Sequence, residues 1–208
     1  MKIFYEREKQ QKDTYTITLN INYVIAMIRT MLRAILSMAF YCIFVSCHAG
    51  APADMMLFDF ESDKELDSIQ WKCHTLVSLS DEHATHGIKS LRIEFYPSDY
   101  PRLHPHLEWN DWSKFKKLCF DLCNNLTEDV SISVLIDDHT VYTEYPDRYN
   151  KDFIIKPGLN RLTIPFNTLI TSGTHRALDL KKIYKLMIFM SHPAKKYVLY
   201  VDWIRLIS

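Results

Sequence analysis

The sequence predicts an all-β, antiparallel sandwich over residues 54–208, preceded by an apolar helix that serves as a signal or membrane anchor. Three observations predict this architecture. About nine short runs are rich in Val, Ile, Phe, Tyr and Thr, turn signals separate the runs, and one run alternates between apolar and polar side chains. A chain of 208 residues is also long enough to bury one sizeable core.

The composition excludes several classes of protein. Hydrophobic residues make up 48% of the chain and charged residues 24%, which rules out a low-complexity or disordered chain. The 25 Lys and Arg residues are balanced by 25 Asp and Glu residues. Because the chain has no overall basic field to attract phosphates, we expect no nucleic-acid partner.

Residues 1–53 have the pattern of a targeting segment. Arg29 and Arg33 precede residues 34–53, which contain no Asp, Glu, Lys or Arg and begin with a nearly continuous apolar run. Basic residues, a short apolar run and then small residues are typical of a secretory signal peptide or signal-anchor. We therefore expect an exported protein in the periplasm, on the outer membrane or at the cell surface. The alternative is a buried core helix or a transmembrane helix over residues 23–45.

The apolar run ends in a motif that points to lipidation. Phe44-Val45-Ser46-Cys47 resembles the lipobox of bacterial lipoproteins, with Phe44 where Leu is usual. The resemblance implies acylation of Cys47 and attachment of the protein to a membrane through lipid. Cleavage after Ala49 or Ala53, each of which has a small residue two positions earlier, is the alternative.

The strands follow in order after the targeting segment. Val130, Ile132, Val134 and Ile136 alternate with Ser131 and Ser133, so this strand should bury one face and leave the other at least partly wet. Turn signals such as Pro157-Gly158 separate the runs. The nine predicted strands are residues 57–61, 74–80, 89–96, 115–124, 130–137, 152–156, 159–166, 184–190 and 196–207.

The cysteines leave two interpretations open. Cys119 and Cys123 are four residues apart in a predicted strand, which places their Cα atoms about 13 Å apart, too far for a disulfide. Cys73 could form a disulfide with either of them, or all three could be small buried apolar residues. No cysteine spacing is typical of a zinc site.

Several motifs follow one another in a recognisable order. The domain begins with Phe58-Asp59-Phe60-Glu61 and continues through residues 71, 78–91, 111–124, 156–165 and 199–206. This order resembles galactose-binding-like jelly-roll domains and carbohydrate-binding modules. A closer likeness, carried by residues 136–139, 145–150, 157–158 and 176–179, is to the extracytoplasmic domain attached to VanZ-like bacterial membrane proteins.

The resemblance implies a jelly-roll β-sandwich of the galactose-binding-domain type and an exported, non-catalytic carbohydrate-binding module at the bacterial cell envelope. Its partner would be a glycan or glycoconjugate. The alternative is an envelope scaffold or lipoprotein that binds a protein partner through the same loop rim. We expect no enzyme activity, because the chain has no nucleophile elbow and no Cys-His signature, and its four glycines form no phosphate-binding loop.

Polar and aromatic residues cluster in the segment after the alternating strand. Acidic side chains and an Arg can bond sugar hydroxyls, while the apolar face of a sugar ring stacks on an aromatic ring. A structural ion pair between Asp147 and Arg148 is the alternative. Trp109, in an aromatic loop over residues 96–111, is a second candidate platform. The candidate ligand-binding residues are Asp137, Asp138, His139, Tyr142, Tyr145, Asp147, Arg148, Tyr149 and Trp109.

The resemblance also implies a structural calcium ion at the edge of the sandwich. Carried onto this sequence, its ligands would be Glu61, backbone atoms near residues 86–89 and Asp202, with Asp59 as a further ligand. Oxygen ligands of this kind suit calcium. The alternative is that these residues are simple rim carboxylates.

Overall fold

A computed structural model describes residues 27–33, 53–141 and 143–208, without the side chains of residues 70–72. The chain divides into two units, Met1–Gly50 and Ala51–Ser208. Residues 27–33 form an exposed helix, and no helix in the described ranges has the length and apolar character needed to span a membrane. The apolar run and Cys47 lie outside the described residues. The signal, the lipidation and the domain boundary at residue 53 stay predictions.

The regular secondary structure from residue 53 onward is almost entirely β-strand. It also contains the short helix α1 (Asp63–Asp67) and two 3-10 helices, η1 (Tyr145–Asp147) and η2 (Phe166–Thr168). Its eleven strands are β1 (Met55–Phe58), β2 (Ile69–Cys73), β3 (Thr75–Ser80), β4 (Ser90–Phe95), β5 (Arg102–Pro105), β6 (Lys117–Asn124), β7 (Val130–Asp137), β8 (Tyr149–Ile155), β9 (Gly158–Pro165), β10 (Lys185–Phe189) and β11 (Tyr197–Ile207).

The strands form two antiparallel sheets, which confirms the predicted sandwich. One sheet has the order β3-β4-β11-β6-β9, and the other has the order β2-β5-β10-β7-β8. The long strand β11 pairs with β4 along residues 197–201 and with β1 along residues 204–206. All described strand pairs are antiparallel.

The core lies between the sheets and contains the predicted apolar face of β7. On the face predicted to be wet, Ser131 is exposed but Ser133 and Leu135 are each 5% exposed. Val130, Ile132, Val134 and Ile136 of β7 are at most 2% exposed, and they belong to one apolar cluster with residues from both sheets. The alternate residues of β7 point to the other face of the five-stranded sheet. Burying each such side chain contributes about 1.5–3 kcal/mol. One face of β7 therefore packs in the core, and the other lies on the side of the five-stranded sheet that points away from the core.

Two strands, β2 and β5, are missing from the sequence prediction. They pair with each other at one edge of the five-stranded sheet. β5 lies within residues 96–111, predicted as an aromatic loop, yet its Leu103 is 1% exposed. The strand has only four residues and ends in Pro105, so its alternation is too short to predict a strand. Pairing with β10 decides its conformation.

The three cysteines among the described residues form no disulfide. Cys73, Cys119 and Cys123 are free thiols, and the last two are each 6% exposed. Burial raises the pKa of the Cys123 thiol. The interpretation of Cys119 and Cys123 as buried apolar residues therefore fits the structure, and the disulfide alternative does not.

Candidate functional site

A groove of about 810 Å³ lies on the face of the five-stranded sheet that points away from the core. Its floor consists of alternate residues of β7 and β10: Ser133, Leu135, Met187 and Phe189. The residues between them, such as Ile188 at 2% exposure, fill the core. Because side chains alternate along a strand, the same sequence pattern that builds the core also builds this floor.

The strand register arranges the groove in rows. Met187 pairs with Leu135, which pairs with Asn150 on β8. Two residues away on each strand, Phe189 pairs with Ser133, which pairs with Asp152. Each row therefore runs from an apolar side to a polar side, across neighbouring strands about 4.8 Å apart.

Strand β8 supplies the polar wall of the groove. Arg148 precedes it, and Asn150 and Asp152 follow at every second position; all three line the groove. The Asp152 carboxylate accepts a hydrogen bond from the Ser133 hydroxyl. The groove therefore has charged and amide groups along one side of an apolar floor.

Two exposed tyrosines stand on the groove lining. Tyr145, in η1, is 61% exposed, and Tyr100, just before β5, is 48% exposed. The Tyr100 ring meets the rings of Phe189 and His192 edge to face, at centroid distances of 6.2 and 5.0 Å. Apolar floor, polar wall and exposed aromatic rings together suit a ligand whose rings carry hydroxyls at the edge and carbon atoms on the face.

The predicted acidic cluster does come together, at one end of this groove. Asp137, Asp138 and His139 each offer a ligand atom within 4.8 Å of the others, a spacing that could hold a metal ion. The carboxylates are 0% and 7% exposed. His139 Nδ1 lies 3.2 Å from Asp137 Oδ1 and 3.0 Å from Asp138 Oδ1. Lys185 Nζ donates to Asp137 Oδ2 at 3.0 Å, so a protein cation already neutralises that carboxylate.

Arg176 joins two carboxylates of the cluster. Its guanidinium donates to both oxygens of Asp138, at 2.6 and 3.0 Å, and to both oxygens of Asp147, at 3.1 Å each. The Asp179 amide adds a bond of 2.7 Å to Asp138. Burial alone would raise the pKa of Asp138, but these bonds outweigh it and hold the pKa below its ordinary value. Bonds from Arg176 and Thr174 lower the pKa of Asp147.

The structure thus corrects the predicted ion pair. The partner of Asp147 is Arg176, 29 residues away, and not its neighbour Arg148. Arg148 donates instead to the Glu144 carbonyl at 3.4 Å and lines the groove. Asp137 and Asp138, predicted as ligand contacts, are buried and bonded to protein cations. Arg176 begins the motif at residues 176–179, and nothing local in the sequence marks it as the partner of Asp147.

The predicted aromatic residues divide between three environments. Tyr145 lines the groove, and its role as a ligand contact stays a prediction. Tyr149 is 3% exposed in the core, where burial raises its pKa to about 12, so its prediction as a ligand contact is wrong. Trp109 is 58% exposed but is not part of the groove lining. Tyr142 lies outside the described residues.

The predicted calcium ligands all contact the β3–β4 loop, residues 81–89. Two loop amides donate to Glu61 Oε1, both at 2.8 Å. Two others donate to Asp202 Oδ2, at 2.6 and 2.9 Å. Asp59 Oδ2 lies 3.6 Å from the imidazole of His86. Burial raises the pKa of Asp202, and the amide bonds oppose that rise without overcoming it.

These contacts do not fit a calcium site. Calcium needs carboxylate and carbonyl oxygens turned toward it, whereas here amide N–H groups point at the carboxylate oxygens. Glu61 and Asp202 hold the loop by accepting its amides. At Gly87, which has a φ of +66°, a Cβ would lie 2.2 Å from Glu61 Oε1, so the loop approaches this carboxylate closely.

The comparisons with known proteins support the fold. No protein-family model and no curated protein sequence matches this chain. The chain is similar to the family 11 carbohydrate-binding module of Clostridium thermocellum in complex with a β-1,3-1,4-mixed-linked tetrasaccharide, with 17% identity over 74% of this chain and 95% of that chain and a TM-score of 0.60. The solution structure of CtCBM11 gives 21% identity over 77% of this chain and 98% of that chain, with a TM-score of 0.58.

An exo-β-agarase is a further similar structure. It shares 18% identity over 73% of this chain with a TM-score of 0.59, and the match spans 24% of the agarase chain. Identities this low show the sandwich fold of carbohydrate-binding modules and no more. The finer likeness to VanZ-attached domains gains no support from these structures.

We expect Arg176→Met to destabilise the fold by about 2 kcal/mol at neutral pH, because it leaves two carboxylates without their cation. This is less than for a fully buried pair, since the Arg176 side chain is 37% exposed. Both carboxylates have lowered pKa values, so their contribution is present above about pH 4 and is lost as the pH falls through those values. Urea unfolding across pH should therefore show the difference from wild type shrinking in acid.

The control is Lys195→Met. Lys195 pairs with Glu128, but the two side chains are 57% and 51% exposed. This change should therefore destabilise the fold far less than Arg176→Met. Equal costs for the two variants would contradict a structural role for Arg176.

We expect Gly87→Ala to destabilise the fold by at least about 1 kcal/mol more than Gly158→Ala. Both glycines have positive φ, but a Cβ at Gly158 meets nothing within 4 Å, whereas one at Gly87 displaces Glu61 from the loop amides.

Millimolar calcium should leave the wild-type Tm unchanged, as measured by differential scanning fluorimetry. A calcium-dependent rise in Tm would show that the domain binds calcium and would contradict the conclusion that these residues do not form a calcium site.

Proposed function

We propose that this chain is a non-catalytic glycan-binding module whose ligand occupies the groove on the five-stranded sheet. The observation that carries the proposal is the groove itself, with an apolar floor at Leu135 and Met187, a polar wall along β8 and exposed rings at Tyr100 and Tyr145. The sandwich fold is shared with a solved carbohydrate-binding module in complex with a tetrasaccharide.

The charges around the groove argue against glycosidase chemistry. Such chemistry uses two carboxylates about 5–10 Å apart. Asp152 is the one carboxylate on the described lining, and it accepts a hydrogen bond from Ser133. The nearby carboxylates of Asp137 and Asp138 are buried against Lys185 and Arg176. This arrangement supports binding without hydrolysis.

We further propose that the module acts outside the cytoplasm at a bacterial cell envelope. The basic residues and uncharged apolar run before residue 54 support export, and the lipobox-like motif at Cys47 supports a lipid anchor. A second candidate is an envelope scaffold that binds a protein through the same rim. Val141, 69% exposed on the groove lining, favours that candidate because it offers apolar surface to a partner.

We expect Tyr145→Ala and Tyr100→Ala each to weaken glycan binding about tenfold, because each removes a ring from the groove while leaving the core intact. Isothermal titration calorimetry with a mixed-linked β-glucan tetrasaccharide, xylohexaose and agar oligosaccharides would measure this effect. Trp109→Ala is the matched control, since Trp109 is equally exposed but lies off the groove lining. Loss of binding in the Trp109 variant alone would place the site elsewhere. No binding to any glycan would favour the protein-binding scaffold.

A further inference from the structure

One polar side chain in the groove wall has no protein partner. Asn150 lies opposite Leu135 and lines the groove. Its Nδ2 and Oδ1 are both shielded from solvent, and neither has a hydrogen-bond partner among the described residues. A buried amide in this state destabilises a fold, so its presence calls for an explanation.

The chain satisfies a buried amide elsewhere. Asn124 is 1% exposed, and its Nδ2 donates to the carbonyls of Glu128 and Ile155 at 2.8 and 3.0 Å. Its Oδ1 accepts the Leu126 amide at 2.9 Å. Asn124 is therefore a structural amide with donor and acceptor both bonded within the fold, and Asn150 is not.

The neighbours of Asn150 on the same face of β8 are engaged with the protein. Arg148 donates to the Glu144 carbonyl at 3.4 Å, and Asp152 accepts from Ser133. Asn150 stands between them with its donor and its acceptor both uncommitted. In this wall it is the side chain whose donor and acceptor are both shielded from solvent and both unbonded among the described residues.

We propose that Asn150 selects the ligand by binding two adjacent free hydroxyls of one sugar residue. This inference rests on the proposed function. The amide carries a donor and an acceptor side by side, and neighbouring sugar hydroxyls can match both at once, one donating to Oδ1 and the other accepting from Nδ2. Asn150 is partly exposed on the groove lining, but its two amide atoms are shielded, so ligand binding requires the side chains that cover them to shift.

The ligand class follows from the same chemistry. A glycan with unsubstituted neighbouring hydroxyls satisfies the amide, whereas an O-methylated chain leaves it buried and unbonded. A site built to bond a hydroxyl discriminates strongly against an analogue that lacks it. The groove should therefore bind unsubstituted glycan chains and reject their O-methylated forms.

The test is Asn150→Leu in the full chain, with the same substitution at Asn124 as the matched control. Asn150→Leu removes an unsatisfied amide at similar volume, so we expect Tm to rise by about 3 °C and affinity to fall at least tenfold. Asn124→Leu removes three hydrogen bonds that the Asn124 side chain makes within the fold, so it should lower Tm by about 3 °C. The binding probe is whichever of the three oligosaccharides above binds the wild type, compared with its per-O-methylated form.

The outcomes separate the two proposals. A lower Tm for Asn150→Leu would show that the fold uses the amide, and unchanged affinity would show that the ligand does not; either result overturns the inference and leaves the groove as the binding site. Equal wild-type affinity for the free and O-methylated probes would overturn it as well, without relying on a variant. If the wild type binds none of the glycans, that result contradicts the proposed function and this inference together.

Discussion

The groove depends on the ion pairs that Arg176 makes with Asp138 and Asp147. These carboxylates lie at the two ends of the segment between β7 and β8, and the guanidinium bonds both oxygens of each. That segment carries Tyr145 and much of one groove wall. A long connection has no regular backbone pairing to hold it, so one guanidinium that is bidentate to a carboxylate at each end takes that place.

Close backbone packing reinforces the same segment. The amides of Gly173 and Thr174 donate to the Pro146 carbonyl at 2.8 and 3.0 Å. A Cβ at Gly173 would lie 2.4 Å from Pro146 Cβ, so a larger residue would push the two loops apart. The loop that contains Gly173 also leads to Arg176. The Arg176 ion pairs and the packing of Gly173 against Pro146 therefore both hold the segment that carries Tyr145.

The sequence predicts the sandwich well because the spacing of Val130, Ile132, Val134 and Ile136 marks the core face of β7. It predicts the site less well. The predicted strand 152–156 starts too late; extending it to Tyr149 would place Tyr149 on the same face as Ile155, in the core, and Asn150 with Asp152 on the other face. The Arg176 pairing joins residues far apart in the chain, and β5 forms through its neighbours, so no local pattern reveals either.

Strand β8, at one edge of the five-stranded sheet, both packs in the core and lines the groove. Ile155 and Tyr149 anchor it in the core, while Asn150 and Asp152 face the groove. Because the two faces are independent, substitutions on the groove face can change what the domain recognises without disturbing its packing. Lys151 and Asp152 are exposed along this outermost strand, and such charges discourage another chain from adding to it. One short segment can thus diversify recognition while it protects the fold from aggregation.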